Sequence, residues 1–370
     1  MGHFTFRVLR SKFRVPRSAL PVPSALGYRM PAEWEPHAAT WLTWPRKNGI
    51  SFPGCFGSIP DYWVTMCRLL SPGEEVHINV FDEAHGDVIR GHLAKARLKI
   101  GERIFLHHFP AYEPWCRDHG PTFIVNSEFG IRNSELAAVD WNYNAWGNKY
   151  PPYDLDDAVP ERIARFLDAP IFKPDMVMEG GAIDVNGRGT LLSTESCLLN
   201  KNRNPRLSKI QIERCLKNYL GVTHVLWLGE GIEGDDTDGH VDDLTRFVNP
   251  TTVVTVVEED PRDANYKPLH ENLRRLRLMK DQDGNPFRII TLPMPGVIER
   301  KGQRLPASYA NFYIGNEVVL LPVYGHANDI VARNVLWKLF PKRRVVSIDC
   351  RDLVWGLGAF HCVTQQQPRC

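Results

Sequence analysis

The chain has 370 residues, a net charge of +2 and 43% hydrophobic residues, so it can bury a large core. The small net charge gives no support for a nucleic-acid surface, and no apolar run reaches the length of a membrane span. The eight cysteines form no Cys-x-x-Cys pair, which argues against a zinc ribbon. Because no secretory signal is evident, we expect reduced thiols and a cytoplasmic protein.

The first 29 residues are basic. Arginine and lysine recur between Arg7 and Arg17, and no acidic residue precedes Glu33. The segment lacks the apolar centre of roughly 7–15 residues that a secretory signal needs. We interpret residues 1–29 as a basic, disordered extension or the product of an early start codon, with an organellar transit peptide as the alternative. Residues 30–370 are predicted to form a single catalytic domain.

From residue 30 onward, helices and strands are predicted to alternate. A strand is expected at 38–44, where it stops at a proline, followed by a helix at 61–70 and a strand at 76–80. A unit of helix, extended segment, polar loop and hairpin then recurs about five times. Its helices are predicted at 84–99, 159–167, 208–219, 264–279 and 327–339. Tight hairpin turns are expected at Asn186-Gly187 and Gly315-Asn316.

The polar loops of successive units are evenly spaced. Asp118, Glu179 and His240 follow one another at equal intervals of 61 residues. Equal spacing in successive α/β units indicates loops that converge on one axis, as the blades of a propeller do. The last unit ends after Cys362, so the N-terminal strand, helix and strand are expected to complete it. The alternative is a coincidence within an ordinary α/β fold.

Cys362 is the candidate nucleophile. It follows the glycine-containing run Gly356-Leu357-Gly358-Ala359-Phe360 and precedes a β-branched pair, so we predict it as the first residue of a strand. A thiol at a loop–strand junction can have its pKa tuned by a cationic or dipolar neighbour. The alternative is a buried structural cysteine. His361 is predicted to point to the opposite face and to be structural.

Carboxylates and a histidine accompany this thiol in the other loops. Two carboxylates beside a thiol would raise its pKa, which makes sense if the substrate is itself a cation. A planar guanidinium could lie between Asp118 and Asp242 and favour the thiolate of Cys362. His240 could then transfer protons, oriented by Glu179. Each of these residues also has a structural interpretation, as a local ion pair or a solvated loop residue.

A metal site is the competing chemistry. His240, Asp242 and Glu179 offer ligand types that zinc accepts. The sequence has no His-Glu-x-x-His pair, and these motifs contain no second histidine. No cofactor is therefore expected.

The sequence resembles the agmatine deiminases, within the bacterial-type peptidylarginine deiminase family of guanidine-modifying enzymes. The matching segments, in chain order, are Met30-Pro31-Ala32-Glu33-Trp34-Glu35-Pro36-His37, Trp115-Cys116-Arg117-Asp118, Glu179-Gly180-Gly181, Gly239-His240-Val241-Asp242 and His361-Cys362-Val363-Thr364-Gln365-Gln366. The resemblance implies a five-bladed α/β propeller, the pentein fold, with its site on the pseudo-fivefold axis.

The resemblance also implies a set of roles. Cys362 is expected to be the nucleophile, His240 the general acid and base, and Glu179 its partner, while Asp118 and Asp242 bind the guanidinium. The reaction expected is agmatine and water to N-carbamoylputrescine and ammonia, a step of putrescine biosynthesis in polyamine metabolism.

Further substrate contacts are expected at Trp115, Gly180 and Gly358. The loop before the cysteine departs from the family pattern through the bulkier Leu357 and Phe360, which bears on the substrate. The alternatives are a peptidylarginine deiminase, a hydrolase of another small guanidine, or a catalytically silent pentein that binds a small cation. The partner expected is a small-molecule guanidine, with no nucleic acid and no membrane; the oligomeric state stays open, a homo-oligomer included.

Overall fold

Helices and strands alternate through residues 21–126 and 135–370, the parts of the chain that the computed structural model describes. The strands are β1 (Tyr28–Arg29), β2 (His37–Thr43), β3 (Glu75–Asn79), β4 (Ile104–His107), β5 (Thr122–Asn126), β6 (Glu135–Val139), β7 (Ile171–Phe172), β8 (Asp184–Val185), β9 (Thr190–Thr194), β10 (His224–Leu228), β11 (Thr245–Asn249), β12 (Thr252–Val257), β13 (Arg288–Pro293), β14 (Glu299–Arg300), β15 (Gln303–Arg304), β16 (Tyr313–Ile314), β17 (Val318–Val323), β18 (Arg344–Asp349) and β19 (Thr364–Pro368).

The α-helices are α1 (Ile59–Leu70), α2 (Glu83–Lys95), α3 (Cys116–His119), α4 (Ala145–Asn148), α5 (Asp154–Asp157), α6 (Val159–Phe166), α7 (Glu195–Leu198), α8 (Lys209–Leu220), α9 (Tyr266–Leu278) and α10 (Asn328–Leu339). Short 3-10 turns lie at Pro23–Leu26, Gly180–Ala182, Val241–Asp243 and Leu353–Gly356. None of the helices in the described ranges is long and apolar enough to span a membrane.

One pairing pattern recurs in five sheets. Each contains an antiparallel pair whose second strand has a third strand parallel to it, namely β5-β6-β7, β8-β9-β10, β11-β12-β13, β16-β17-β18 and β19-β2-β3. Parallel neighbours need a crossover connection, and one or more helices supply it in every case. The chain is therefore mixed α/β, as expected, and the recurring unit predicted from the sequence is present five times.

The two ends of the chain meet in one sheet. β19 pairs antiparallel with β2, with Thr364 opposite Leu42, and β3 and β4 follow in parallel. The prediction that the N-terminal strand, helix and strand complete the last unit is confirmed. Cys362 is thereby placed beside elements from the beginning of the chain.

The helices cover the sheets with one apolar face each. Trp63 of α1, Leu269 of α9 and Leu336 of α10 belong to the largest buried hydrophobic cluster. α8 contributes Leu216 to a second cluster. Burial of such faces is the main source of helix stability in proteins.

The ends of α8 follow its local sequence. Ser208 and Gln211 form a reciprocal capping box at the first turn, and Gly221 ends the helix in the left-handed region with φ of 66°. The helix predicted at 208–219 is therefore confirmed.

The fold begins earlier than the predicted boundary at residue 29. Residues 23–26 form a 3-10 turn, and Tyr28 pairs with Asn126 at the edge of a sheet. Tyr28 is buried, so excluding residues 21–29 from the fold was wrong. The expectation of disorder for residues 1–20 lies outside the described residues.

The connection at Asn186-Gly187 is longer than the predicted tight turn. Four residues, 186–189, connect β8 to β9. Gly187 and Gly189 have φ of 68° and 118°, and the Asn186 carboxamide accepts the backbone N–H of Thr190. The asparagine closes a wider loop through its side chain.

Candidate active site

Cys362 lies in a turn two residues before β19, so the prediction that it opens the strand was wrong. Its sulfur forms part of the wall of a cavity of about 210 Å³. Asn311 Nδ2 lies 3.0 Å from this sulfur, and Asp242 Oδ2 lies 3.6 Å from it. The thiol is therefore held between an amide donor and a carboxylate.

The loop before the cysteine is shaped by Trp115. A Cβ on Gly358 would lie 2.7 Å from the Trp115 ring and 3.1 Å from the Cys362 sulfur. Gly358 is therefore needed for the indole to pack next to the thiol. Leu357 lines the cavity and takes a left-handed φ of 71°, which is strained for a leucine.

Asp118 comes from the short helix α3. Its Oδ1 accepts the backbone N–H of Gly181 at 2.9 Å, and its Oδ2 accepts the indole N–H of Trp146 at 2.9 Å. Burial raises its pKa to about 6, and although nearby His240 opposes this, the Asp242 carboxylate adds to it. A bound cation would reverse that rise, so the site favours a positively charged ligand.

His240 lies between two carboxylates. Its Nδ1 is 3.7 Å from Asp118 Oδ1 and its Nε2 is 3.9 Å from Glu179 Oε2, and neither ring nitrogen has a hydrogen-bond partner. Burial alone would lower the pKa of His240, but Asp118, the Cys197 thiol and Glu179 raise it well above its ordinary value. The histidine is thus placed to hold a proton at neutral pH.

Glu179 is fixed by a buried arginine. Arg203 Nε donates to Glu179 Oε1 at 2.6 Å, and both side chains are fully buried. Burial would raise the pKa of Glu179, but Arg203 and His240 lower it below its ordinary value. Oε2 has no partner, so an anionic oxygen remains available on the side of His240.

The side chains from different units converge around Gly181. A Cβ there would lie 2.6 Å from His240 Nδ1, 2.9 Å from Asp118 Oδ1 and 3.0 Å from Asp242 Oδ2. At Gly180 a Cβ would lie 2.2 Å from the Arg117 carbonyl oxygen. Gly180 therefore permits contact between two backbone segments, whereas Gly181 is the glycine at the centre of the site.

Asp242 is held by His361. Its Oδ2 accepts from His361 Nδ1 at 2.7 Å, while its Oδ1 is buried without a partner. Burial would raise the pKa of Asp242, but the hydrogen bond and charge of His361 lower it. The expectation that His361 points away from the site is corrected by this contact with Asp242, although His361 is not among the residues that line the cavity.

The surroundings of Cys362 favour the protonated thiol. Burial raises the pKa of Cys362 well above its ordinary value, and the carboxylates of Asp242, Asp243 and Asp118 raise it further. A cation bound between the carboxylates would remove much of the second effect. The geometry therefore links thiolate formation to binding of a positively charged ligand.

The cavity walls are aromatic and acidic. Trp115, Trp146 and Trp355 line it, as do Glu113 and Asp236. Trp115 Nε1 donates to Ser51 Oγ at 3.0 Å, which attaches the loop around residue 51 to the cavity. Such walls suit an alkyl chain with a positive charge.

Three of the described residues lie close enough together to hold a metal ion, but they differ from the set considered as the competing chemistry. Ligand atoms of Glu179, Cys197 and His240 lie within 4.8 Å of one another, and all three residues are buried. Asp242 was considered as a ligand together with Glu179 and His240, but it is not part of this group.

The family model for Porphyromonas-type peptidyl-arginine deiminase matches residues 29–368. The chain belongs to this family. Agmatine deiminase of Pseudomonas syringae pv. tomato is 35% identical over 380 residues, covering 94% of this chain and 97% of the relative.

Solved structures are also similar to this chain. Agmatine deiminase of Enterococcus faecalis has a TM-score of 0.87 at 32% identity, covering 95% of this chain and 98% of the other. A cysteine-to-serine variant of C. jejuni agmatine deiminase with substrate bound has a TM-score of 0.82 at 29% identity, covering 92% and 96%.

Several residues around this family site were not identified from the sequence. Asn311 contacts the thiol, Arg203 holds Glu179, and Trp146 donates to Asp118. Each lies outside the predicted motifs, in connections whose sequence carries no signal of chemistry. Glu33 and Arg117 lie inside two of those motifs, but no role was predicted for them.

Proposed function

We propose that this family member hydrolyses agmatine to N-carbamoylputrescine and ammonia, acting on the carbon–nitrogen bond of a guanidine. The activity named for its relatives from P. syringae and E. faecalis supports this substrate. The observation that carries the proposal is the convergence of unpartnered buried atoms on Glu179, His240 and Asp242 beside a thiol.

The substrate guanidinium lies between Asp118 and Asp242. Its planar N–H groups pair with carboxylate oxygens, among them the free Oδ1 of Asp242. The positive charge of the substrate lowers the pKa of Cys362, so the thiolate forms when substrate is present. Trp115 covers the alkyl stem or head group.

The reaction proceeds through a covalent intermediate. The Cys362 thiolate attacks the guanidinium carbon, and the tetrahedral adduct expels ammonia, protonated by His240. Neutral His240 then takes a proton from water, which attacks the amidino-thioether carbon. Collapse of the second adduct breaks the carbon–sulfur bond, the hydroxyl proton passes to solvent, and the ureido product and the Cys362 thiolate are released. Glu179 stabilises the imidazolium form of His240.

We further propose that the five sheets are blades of an α/β propeller that forms one catalytic domain. The support is their common strand order and the position of Asp118, Glu179 and His240 in connections of successive units. On this arrangement each blade contributes a loop to a site on the central axis.

Replacing the nucleophile tests the function. Cys362→Ser should abolish ammonia release while agmatine still binds, because an alkoxide is far harder to form than a thiolate. Cys370→Ser, which changes an exposed thiol, is the matched control. Turnover of the Cys362→Ser protein within about tenfold of wild type, a difference of roughly 1.4 kcal/mol, would exclude the covalent route.

A further inference from the structure

His361 lies between two buried carboxylates. Its Nδ1 is 2.7 Å from Asp242 Oδ2, and its Nε2 is 2.7 Å from Glu33 Oε2. An ionised carboxylate only accepts hydrogen bonds, so both ring nitrogens must donate. With both carboxylates ionised, these two contacts are satisfied together only by the doubly protonated imidazolium, which places a positive charge next to Asp242.

Glu33 is the anion that supports this charge. Its Oε2 also accepts from Arg246 at 2.8 Å and from Arg117 at 3.4 Å, and its Oε1 accepts the Ile314 N–H at 2.8 Å. Burial would raise the pKa of Glu33, but Arg246, His361 and Arg117 hold it well below its usual range. These cations therefore favour the charged form of Glu33.

The buried charges around Glu33 are balanced. Arg246 also contacts Asp184, with Nε 3.2 Å from Oδ2, and is fully buried. Three cations, Arg117, Arg246 and His361, thus face three anions, Glu33, Asp184 and Asp242. Removing the charge of Glu33 takes away the anionic acceptor of His361 Nε2, which disfavours the proton on that nitrogen.

Asp242 is the member of this network that faces the reaction. It lies against His361 and the Cys362 sulfur, with His240, Arg246 and Asp243 as its other charged neighbours. Because Oδ2 is occupied by His361, the side chain has one orientation, with the unpartnered Oδ1 left for a ligand. The neutral tautomers of His361 could not donate to Asp242 and Glu33 together.

We propose that Glu33 is a positioning residue, which acts through the imidazolium of His361 to keep Asp242 anionic and turned toward the guanidinium. The role of Asp242 in this statement rests on the proposed function. Glu33 itself contacts neither substrate nor thiol, and its effect passes through one histidine ring.

The protonation state of His361 can be measured without turnover. Because each ring nitrogen of His361 lies 2.7 Å from a carboxylate oxygen, both nitrogens should carry protons in the folded wild-type protein. Imidazole 15N chemical shifts of the full-length protein report this, with the His361→Gln variant used for assignment. A neutral tautomer of His361 in the wild-type protein would overturn the proposal, whether or not the protein turns over agmatine.

The variant pair Glu33→Gln and Asp184→Asn separates positioning from general stabilisation. Each removes one buried carboxylate that Arg246 contacts, but Asp184 does not contact His361 in the described structure. Glu33→Gln should remove the second imidazole proton of His361. It should also weaken agmatine binding to the Cys362→Ser protein by about tenfold, the effect of one charged hydrogen bond.

The pH profile adds an independent readout. When the charge of His361 is lost, the pKa of Asp242 rises, so the acidic limb of kcat/KM should move to higher pH in Glu33→Gln. Asp184→Asn removes a charge that interacts with His361 without a hydrogen bond, so it should change the His361 shifts and this limb less than Glu33→Gln does. Equal effects of the two folded variants, or a Glu33→Gln protein with the imidazolium intact, would overturn the proposal.

A variant that acts at the histidine covers the case in which Glu33→Gln does not fold. His361→Gln keeps an amide donor for Asp242 and removes the positive charge. It should weaken agmatine binding to the Cys362→Ser protein to the same extent and move the acidic limb in the same direction. Binding equal to that of the His361-containing protein would overturn the proposal. Absence of turnover in every protein, with the His361 imidazolium present, would count against the proposed function alone.

Discussion

The Asn311 amide nitrogen lies 3.0 Å from the sulfur of Cys362, and the same amide nitrogen lies 3.0 Å from Asp243 Oδ1. Asn311 Oδ1 in turn accepts the backbone N–H of His361. One side chain thus fixes the turn that carries the cysteine and supplies a donor to its sulfur. A donor that points at sulfur stabilises the thiolate relative to the thiol.

Asn311→Ala should therefore slow turnover. Loss of one hydrogen bond to a charged group predicts a fall in kcat/KM of about tenfold or more. Ammonia release measured over a range of agmatine concentrations checks this. The rate of thiol alkylation as a function of pH should show a higher pKa for Cys362 in the variant. An unchanged thiol titration would show that the amide only shapes the turn.

Asp242→Asn should change thiol reactivity and turnover in opposite directions. The Asp242 carboxylate helps to raise the pKa of Cys362, second only to burial, so its removal should make the free thiol ionise at lower pH. Alkylation by a neutral reagent at neutral pH should therefore become faster. Turnover should fall, because truncating one partner of a buried charge pair costs about 2–5 kcal/mol. Slower alkylation together with slower turnover would contradict this electrostatic account.

Glu179→Gln should lower kcat and move the alkaline limb of the pH profile. Burial lowers the pKa of His240, whereas Asp118, Cys197 and Glu179 raise it. Without the Glu179 charge the pKa of His240 falls, so the acid that protonates ammonia is lost at lower pH. The fold should persist because Asp238 still pairs with Arg203. Glu195→Gln, a similar change in α7, is the control, and an alkaline limb that stays in place would contradict the assignment.

A strong chelator should leave activity unchanged. The proposed steps use a thiol, a histidine and carboxylates, and none of them requires a metal ion. Incubation with chelator followed by ammonia release gives the answer directly. Loss of activity that zinc restores would assign catalysis to the group formed by Glu179, Cys197 and His240.

Local patterns predicted the architecture well. The order of helices and strands follows from hydrophobic periodicity, and equal intervals between Asp118, Glu179 and His240 indicated that their loops converge. These residues were found because short motifs carry both their chemistry and their spacing.

The supporting contacts could not be predicted in the same way. Glu33 meets Arg246 across 213 residues and His361 across 328 residues. Which ionised side chains pair in a core depends on how the units pack, and one sequence carries no signal of that pairing. The start of β19 was predicted two residues too early for a related reason. The strand begins where pairing with β2 begins, and the β-branched residues alone do not determine that point.

Substrate selectivity follows from the size and charge of the cavity. Its volume of about 210 Å³ leaves room for a small guanidine, and Ile50, Trp115 and Trp355 in its walls can contact the alkyl stem. Glu113 and Asp236 line the same cavity and would repel the carboxylate of free arginine. Agmatine should therefore be preferred over both free arginine and benzoyl-arginine derivatives.

The preference over benzoyl-arginine should be at least about tenfold in kcat/KM, or roughly 1.4 kcal/mol of transition-state binding. A substrate panel scored by ammonia release measures it. Asp236→Asn should reduce the difference in kcat/KM between agmatine and free arginine, because it removes one negative charge from the wall that faces the arginine carboxylate. Asp260→Asn changes a partly exposed carboxylate that is not among the residues lining the cavity, so it should leave this difference in kcat/KM as it is. Comparable specificity constants for agmatine and a peptidyl arginine would refute the argument from the size and charge of the cavity. Faster turnover of the peptide would show that the loop containing Leu357 opens the site to protein-borne arginine.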